Sequence, residues 1–114
     1  MTEEEKIEIM KVALKSWGSS AQAVKCFEEM GELIQAISKY YFSGKSSNHA
    51  KHRDNLIEEM ADVCIMIDQL IMDIGAEEEF KDYVTKKFNK VRNKLIDRGF
   101  MERPYDPELD REIL

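Results

Sequence analysis

The sequence predicts an all-α fold, an antiparallel bundle of four helices. Gly and Pro are scarce, at five and two residues in a chain of 114, and both are poor formers of helix interiors. In four successive segments the apolar residues recur at steps of three and four, which is the spacing of one helix face. The connections are short, so successive helices are expected to be antiparallel neighbours. We expect a single helical domain over residues 1–99, an extended arm over residues 100–114, and a bundle completed by oligomerisation.

The first helix is predicted over residues 2–15. Thr2 is followed three residues later by Glu5, which fits a capping box, where each side chain bonds the backbone N–H of the other residue. Apolar residues then follow at helical spacing. The pair Trp17-Gly18 is expected to break this helix and to separate it from the next.

The second helix is predicted to begin at a cap formed by Ser19 or Ser20 and to run to about Phe42. Its main apolar stripe is expected to face the bundle interior and consists of Val24, Phe27, Met30, Gly31, Ile34, Ile37 and Tyr41. A second apolar face lies on the far side and consists of Leu33, Ala36 and Tyr40. Two apolar faces in so short a chain indicate an oligomer interface, so we expect a homodimer or a homotetramer.

The third helix is predicted to follow a turn at residues 43–48 and to end at Gly75. Between Asp54 and Phe80 the chain has nine acidic residues and no Lys or Arg. The apolar stripe of this helix consists of Leu56, Met60, Val63, Ile67, Leu70, Ile71 and Ile74. A neighbouring stripe carries acidic side chains and consists of Glu59, Asp62, Met66, Gln69 and Asp73.

Carboxylates one turn apart on the third helix repel each other. Residues 54–80 contain no base that relieves the repulsion, so the positive charge must come from elsewhere. A divalent cation supplies it, and hard oxygen ligands favour Mg²⁺, with Mn²⁺ as the alternative.

The fourth helix is predicted from Glu77 to about Arg98, with Gly99 as its stop. Its apolar side chains are expected to point inward and are Phe80, Tyr83, Val84, Phe88, Val91 and Leu95. Its basic side chains are expected to point outward and are Lys86, Lys87, Lys90, Arg92, Lys94 and Arg98. The tail beyond Gly99 holds both prolines of the chain and is expected to pack against a neighbour as an extended arm.

The overall charge limits the partners of the chain. A net charge of −6 argues against general nucleic-acid binding, which needs a basic face. No apolar run has the length of a membrane span, and the acidic N-terminus lacks a signal-peptide pattern, so we expect a cytoplasmic protein without a membrane partner. Cys26 and Cys64 lie in helical segments without a Cys-x-x-Cys spacing and are predicted to be free thiols packed as small apolar residues.

Two acidic motifs carry the candidate chemistry, EEMGE at Glu28–Glu32 and EEMAD at Glu58–Asp62. In an antiparallel hairpin, both motifs lie roughly 20 Å from the turn at about 1.5 Å per residue. The acids of the two helices therefore converge on one point. A single Glu-x-x-Glu pair is common on solvated helix faces, but two motifs at one height favour a metal site.

This pattern, E-E-x-x-E followed after about two dozen residues by E-x-x-D on a helical hairpin, resembles the MazG-like, all-α nucleoside triphosphate pyrophosphohydrolases. The resemblance covers roughly residues 17–98. It implies a nucleotide-pool house-cleaning hydrolase that cuts between the α- and β-phosphates to release a nucleoside monophosphate and pyrophosphate. It also implies a set of magnesium ligands, namely Glu29, Glu32, Glu59 and Asp62. Glu28 matches the leading acid of the first motif and would either support a ligand or activate the attacking water.

Residues outside the acidic motifs are candidates for binding the substrate. Side chains of the fourth helix would hold phosphates, namely Lys87, Lys90, Asn93 and Lys94. Trp17 would stack on the base or, alternatively, form an apolar lid on the bundle. Gln22 would bond an edge of the base.

Two other functions compete with this prediction. A ferritin-like di-iron bundle uses Glu-x-x-His pairs, and neither acidic motif has His at the third following position. A non-catalytic helical adaptor would use the acidic helix to meet a basic partner. The adaptor predicts exposed carboxylates and no stabilisation by divalent ions.

Overall fold

The computed structural model describes residues 1–44 and 48–110, and within them the all-α prediction is confirmed. The helices are α1 (Glu3–Trp17), α2 (Ser19–Phe42), α3 (His49–Asp73), α4 (Glu77–Asp97) and the short α5 (Pro107–Asp110). The described part of the chain has no strand. The centre of the predicted turn, at residues 45–47, lies outside the described residues. The chain divides into two compact units, Met1–Ala76 and Glu77–Leu114.

The start of α1 confirms the predicted capping box. The Thr2 backbone N–H donates to Glu5 Oε2 at 3.2 Å, and the Glu5 N–H donates to Thr2 Oγ1 at 3.1 Å. The helix extends to Trp17, two residues beyond the predicted end, and closes with the N–H of Gly18 on the Leu14 carbonyl. Gly18 has a φ of 88°, a backbone conformation that residues other than glycine rarely adopt.

The predicted serine cap of α2 is wrong. The N-cap is Gly18, which has no side chain to form the bond. Because one glycine both ends α1 and begins α2, Ser19 is already inside the helix. Its hydroxyl donates to Asp73 Oδ1 at 2.9 Å and ties the start of α2 to the end of α3.

Helices α2 and α3 form an antiparallel hairpin, and α1 packs against both. The face of α2 that packs on α3 is the opposite of the predicted one. Its buried residues are Gln22, Cys26, Glu29 and Ala36. The predicted interior stripe is exposed, with 69% of Phe27, 67% of Ile34 and 66% of Tyr41 accessible. The cause is that α2 is apolar on two sides, so its periodicity alone does not select the side that meets α3.

The interior face of α3 is also shifted from the predicted stripe. Its buried residues are Leu56, Val63, Met66 and Gln69, of which the last two belong to the stripe predicted to carry the acids. Met60 and Ile74 were expected inside and are exposed. The acid-bearing stripe of α3 therefore faces α2, together with part of the apolar stripe.

The second unit contains α4, whose first turn holds the three predicted glutamates at residues 77–79. The side chains predicted to point inward are exposed, with accessible fractions from 37% for Val84 to 70% for Phe88. Their apolar spacing is that of one helix face, and the inward prediction stays a prediction. Lys86 Nζ lies over the Tyr83 ring, 5.1 Å from its centroid. The tail contains α5 and is thus not extended throughout.

Two further features bear on the predictions. Both cysteines are free, but only Cys26 is buried as predicted, and Cys64 is exposed. No helix among the described residues has the length and apolar character needed to cross a membrane. The predicted domain boundary at Gly99 stays a prediction.

Candidate metal centre

The hairpin brings three carboxylates together. Glu29 of α2 and the pair Glu59 and Asp62 of α3 each offer an oxygen, and these oxygens lie within 4.8 Å of one another. The two acids of α3 are one turn apart, so both reach the same side of the helix. Glu29 lies across from them because α2 runs antiparallel to α3. This is the convergence expected from the equal distance of the two motifs from the turn.

Glu32 joins the group through Glu59. It lies one turn after Glu29 on α2, and its carboxylate is close enough to Glu59 to raise the pKa of Glu59. All four predicted ligands are therefore adjacent, with Glu29, Glu59 and Asp62 as the tighter set.

The environment of Glu59 disfavours its charged form. Burial raises its pKa above the ordinary value, and the negative charge of Glu32 and the hydrogen bond with it raise it further. The charges of Asp62 and Glu29 act in the same direction. The carboxylates that meet at Glu59 therefore act together to favour its protonated form.

Two oxygens of the cluster are buried without a hydrogen-bond partner among the described residues. They are Oε2 of Glu29 and Oε2 of Glu59. The Glu29 residue as a whole is only 8% exposed. Leaving a buried carboxylate oxygen unpaired is costly, and a metal ion that accepts oxygen ligands removes that cost. An all-oxygen donor set fits Mg²⁺ or Mn²⁺ and does not fit ions that prefer sulfur or imidazole.

A lysine of α2 supplies part of the positive charge that was expected entirely from a metal. Lys25 Nζ lies 3.2 Å from Oε1 of Glu29 and 3.7 Å from Oε2 of Glu28. The hydrogen bond to Glu29, followed by the charges of Glu29 and Glu28, raises the pKa of Lys25. The expectation that an ion alone balances the acids is therefore corrected. The four-residue spacing of Lys25 and Glu29 is the signal in the sequence that indicates this pair.

The remaining predicted site residues of the first unit are not part of the cluster. Glu28 is exposed beside it, in contact with Lys25. Trp17 is exposed at the end of α1, and Gln22 is buried on the α3-facing side of α2. The four candidates on α4 are exposed within the second unit, namely Lys87, Lys90, Asn93 and Lys94.

Gln69 is a further polar residue of this face that was not among the predicted site residues. It is buried on α3, two turns after Asp62, and its Oε1 has no partner among the described residues. Its position in the same stripe as the acids is the sequence signal that marks it.

The comparisons with known proteins agree with the architecture. A family model described as the MazG nucleotide pyrophosphohydrolase domain matches residues 20–99, which include both acidic motifs and the whole α2–α3 hairpin apart from Ser19. Neither the curated proteins nor the solved structures gave a significant match. The family match spans more than half of the chain, and the chain therefore belongs to the MazG nucleotide pyrophosphohydrolase family.

Proposed function

We propose that the protein is a magnesium-dependent nucleoside triphosphate pyrophosphohydrolase. It converts a ribo- or deoxyribonucleoside triphosphate to the monophosphate and pyrophosphate, as a house-cleaning enzyme of the cytoplasmic nucleotide pool. The observation that carries the proposal is the group formed by Glu29, Glu59 and Asp62, whose oxygens lie within 4.8 Å of one another. The family of the chain supports the reaction class.

The four acids of the hairpin hold the metal in this proposal: Glu29, Glu32, Glu59 and Asp62. A bound Mg²⁺ neutralises polyphosphate charge and makes water more acidic, and Mn²⁺ supplies the same chemistry. Glu28 is exposed beside the cluster and would accept the proton of the attacking water or hold a ligand carboxylate in place. Because the pKa of Glu59 is raised, a metal competes with a proton for this carboxylate, and binding strengthens as pH rises through that pKa.

Other side chains bind the rest of the nucleotide. Basic and amide groups of α4 hold phosphates, namely Lys87, Lys90, Asn93 and Lys94, and their exposure leaves them free to do so. Trp17 is exposed and stacks on the base or covers the end of the bundle. Gln22 bonds an edge of the base, and because it is buried this contact requires the helices to part at that point.

The oligomeric state is part of the proposal. A homodimer or homotetramer is supported by the exposed stripe of α2, in which Phe27, Ile34 and Tyr41 lie along one side of the helix. Gly31 lies on the same stripe, and the space where its Cβ would be is open to 4 Å. A second helix can therefore approach the backbone of α2 closely there.

A non-catalytic adaptor fits the geometry less well. An acidic face that meets a basic partner needs accessible charge, whereas Glu29 is nearly buried and has an oxygen without a partner among the described residues. Burial of that kind suits ligands of an ion better than a docking surface.

The test is a panel of nucleoside triphosphates with Mg²⁺, assayed separately for pyrophosphate and for single phosphate. We expect pyrophosphate release, and we expect both Glu59→Gln and Asp62→Asn to abolish it. The matched control is Asp68→Asn, which removes an exposed acid of α3 outside the cluster and should leave turnover unchanged. Full activity in Glu59→Gln and Asp62→Asn would contradict the proposal, as would release of single phosphate alone.

A further inference from the structure

Lys25 is the cation at the edge of the carboxylate cluster. Its side chain is 52% exposed, and Nζ lies between Oε1 of Glu29 at 3.2 Å and Oε2 of Glu28 at 3.7 Å. Within the described residues of the α2–α3 hairpin, Lys25 is the basic residue that forms an ion pair with a member of the cluster. One oxygen of Glu29 therefore meets Lys25, while the other is buried without a hydrogen bond from the described residues.

Helix stability gives a weak reason for this pair. In a helix, Lys placed four residues before Glu is the less favourable order of the two. A half-exposed ion pair also contributes little to folding, because water screens it and the long side chain loses freedom. Yet the acid that Lys25 contacts is the most buried carboxylate of the proposed metal site. The half-exposed ammonium group of Lys25 therefore offsets part of the negative charge of that site.

The balance changes when the site is loaded. An ion bound to Glu29 offsets the negative charge that attracts Lys25. The electrostatic attraction between Glu29 and the ammonium group therefore weakens. A polyphosphate that shares the ion brings new negative charge to the same edge. The ammonium is on a flexible stem of four carbons with three rotatable donors, so it can turn from the carboxylate to a phosphate oxygen.

We infer that Lys25 is a phosphate-binding residue that balances the carboxylates of the metal site before an ion binds and moves onto the polyphosphate of the substrate. The inference rests on the proposed function and adds to it a residue from the metal-binding helix itself. Lys25 then has two opposite effects. Its positive charge lowers the affinity of the site for the metal and raises the affinity for the polyphosphate.

The test compares three variants in the full chain. Lys25→Met keeps an apolar stem and removes the charge, and Lys25→Arg keeps the charge. Lys39→Met is the matched control, because Lys39 is exposed on the same helix about 21 Å away at about 1.5 Å per residue. Circular dichroism establishes that each variant retains its helices.

Two titrations separate the two effects. The first measures Mn²⁺ binding by calorimetry without any phosphate, and we expect Lys25→Met to bind about 3-fold to 10-fold more tightly than wild type. The second measures inorganic tripolyphosphate at saturating Mg²⁺, which avoids any dependence on the base. There we expect Lys25→Met to bind about 10-fold more weakly, with Lys25→Arg close to wild type.

Steady-state kinetics give the third measurement. In Lys25→Met we expect KM for the nucleotide to rise about 10-fold and kcat to change less.

The inference is overturned if Lys25→Met matches Lys39→Met in both titrations, which is the behaviour of a surface ion pair. If wild type hydrolyses no triphosphate but the two titrations move in opposite directions, the proposed function fails and the role of Lys25 stands. If wild type hydrolyses nucleotide but Lys25→Met binds tripolyphosphate normally, the role fails and the function stands.

Discussion

Ser19 and Asp73 are joined by a hydrogen bond of 2.9 Å, although they are 54 residues apart in the chain. The serine is in the first turn of α2 and the aspartate is the last residue of α3, so the bond closes the open end of the hairpin. It fixes the height of one helix against the other. This relative position along the helix axes places the acids of α2 level with those of α3.

Removal of this hydrogen bond should destabilise the hairpin. We expect Ser19→Ala to lower the free energy of unfolding by about 1 kcal/mol, a typical net value for one hydrogen bond. The measurement is urea denaturation followed by circular dichroism. Ser20→Ala is the control, since Ser20 is the next residue of the same exposed turn and a change there alters helix propensity equally. Equal stability of the two variants would show that the bond contributes nothing.

Magnesium should stabilise the folded protein by mass action. At a concentration one hundred times Kd the gain is about 2.7 kcal/mol. We expect Tm to rise with Mg²⁺ in wild type and in Asp68→Asn, and to rise much less in Asp62→Asn, which loses a carboxylate of the cluster. Thermal melts with and without the ion provide the measurement. A wild-type Tm that stays constant to tens of millimolar Mg²⁺ would favour the adaptor.

The pKa of Glu59 predicts how the metal-free protein responds to pH. Burial and the neighbouring acids raise that pKa above the ordinary value of 4.5, so the folded state holds the proton more tightly than the unfolded state. The resulting stabilisation is fully present below the ordinary value and is lost as pH rises through the raised one. Denaturation in the presence of a chelator at a series of pH values should show this loss.

Glu59→Gln tests the source of that pH dependence. The amide keeps the shape of the side chain and removes the ionisation, so metal-free Glu59→Gln should become more stable than wild type as pH rises toward neutrality. Glu58→Gln is the control, because its side chain is exposed on the same helix one residue away. The explanation fails if the stability of Glu59→Gln falls with pH as steeply as that of wild type.

The exposed stripe of α2 should hold copies of the chain together. A charge at its centre, in Ile34→Asp, is expected to produce a monomer at micromolar concentration, because the aspartate would be buried without a partner. Gln35→Asp introduces the same charge on the adjacent polar strip and should leave the assembly intact. Analytical ultracentrifugation distinguishes the two results. A wild-type monomer at that concentration would refute the predicted oligomer.

The ends of the helices could be predicted because their signals are local. The capping box of Thr2 and Glu5 and the glycines at the ends of α1 and α3 act within a few residues of themselves. The serine cap failed for an equally local reason. Gly18 serves both helices, so no residue remains between them to act as a side-chain cap.

The interior faces could not be predicted from periodicity. Phe27 and Ala36 lie on different sides of α2, and apolar area alone favours the larger residue for the interior. In the hairpin the smaller one is buried, together with Glu29. The choice depends on which face of α3 is available, and that is a property of the pair of helices rather than of either sequence alone.

The height of the carboxylate cluster could be predicted because it depends only on distances from the turn. Glu29, Glu59 and Asp62 lie level when the two helices are antiparallel, and they converge because the acid-bearing faces of the two helices meet. Lys25 was not predicted to join them because the charge balance considered residues 54–80 alone, which contain no Lys or Arg. The buried acid Glu29 is paired with a residue of its own helix, four positions earlier in the chain.

Only one residue, Gly18, connects α1 and α2, so the connection cannot absorb a change in length. Each residue inserted there would turn α1 by about 100° around its own axis, since a helix completes a turn every 3.6 residues. Ala13, which is buried in the first unit, would then rotate away from the hairpin and a longer side chain would replace it. Insertions at this corner should consequently be far more damaging than insertions of equal length in the tail.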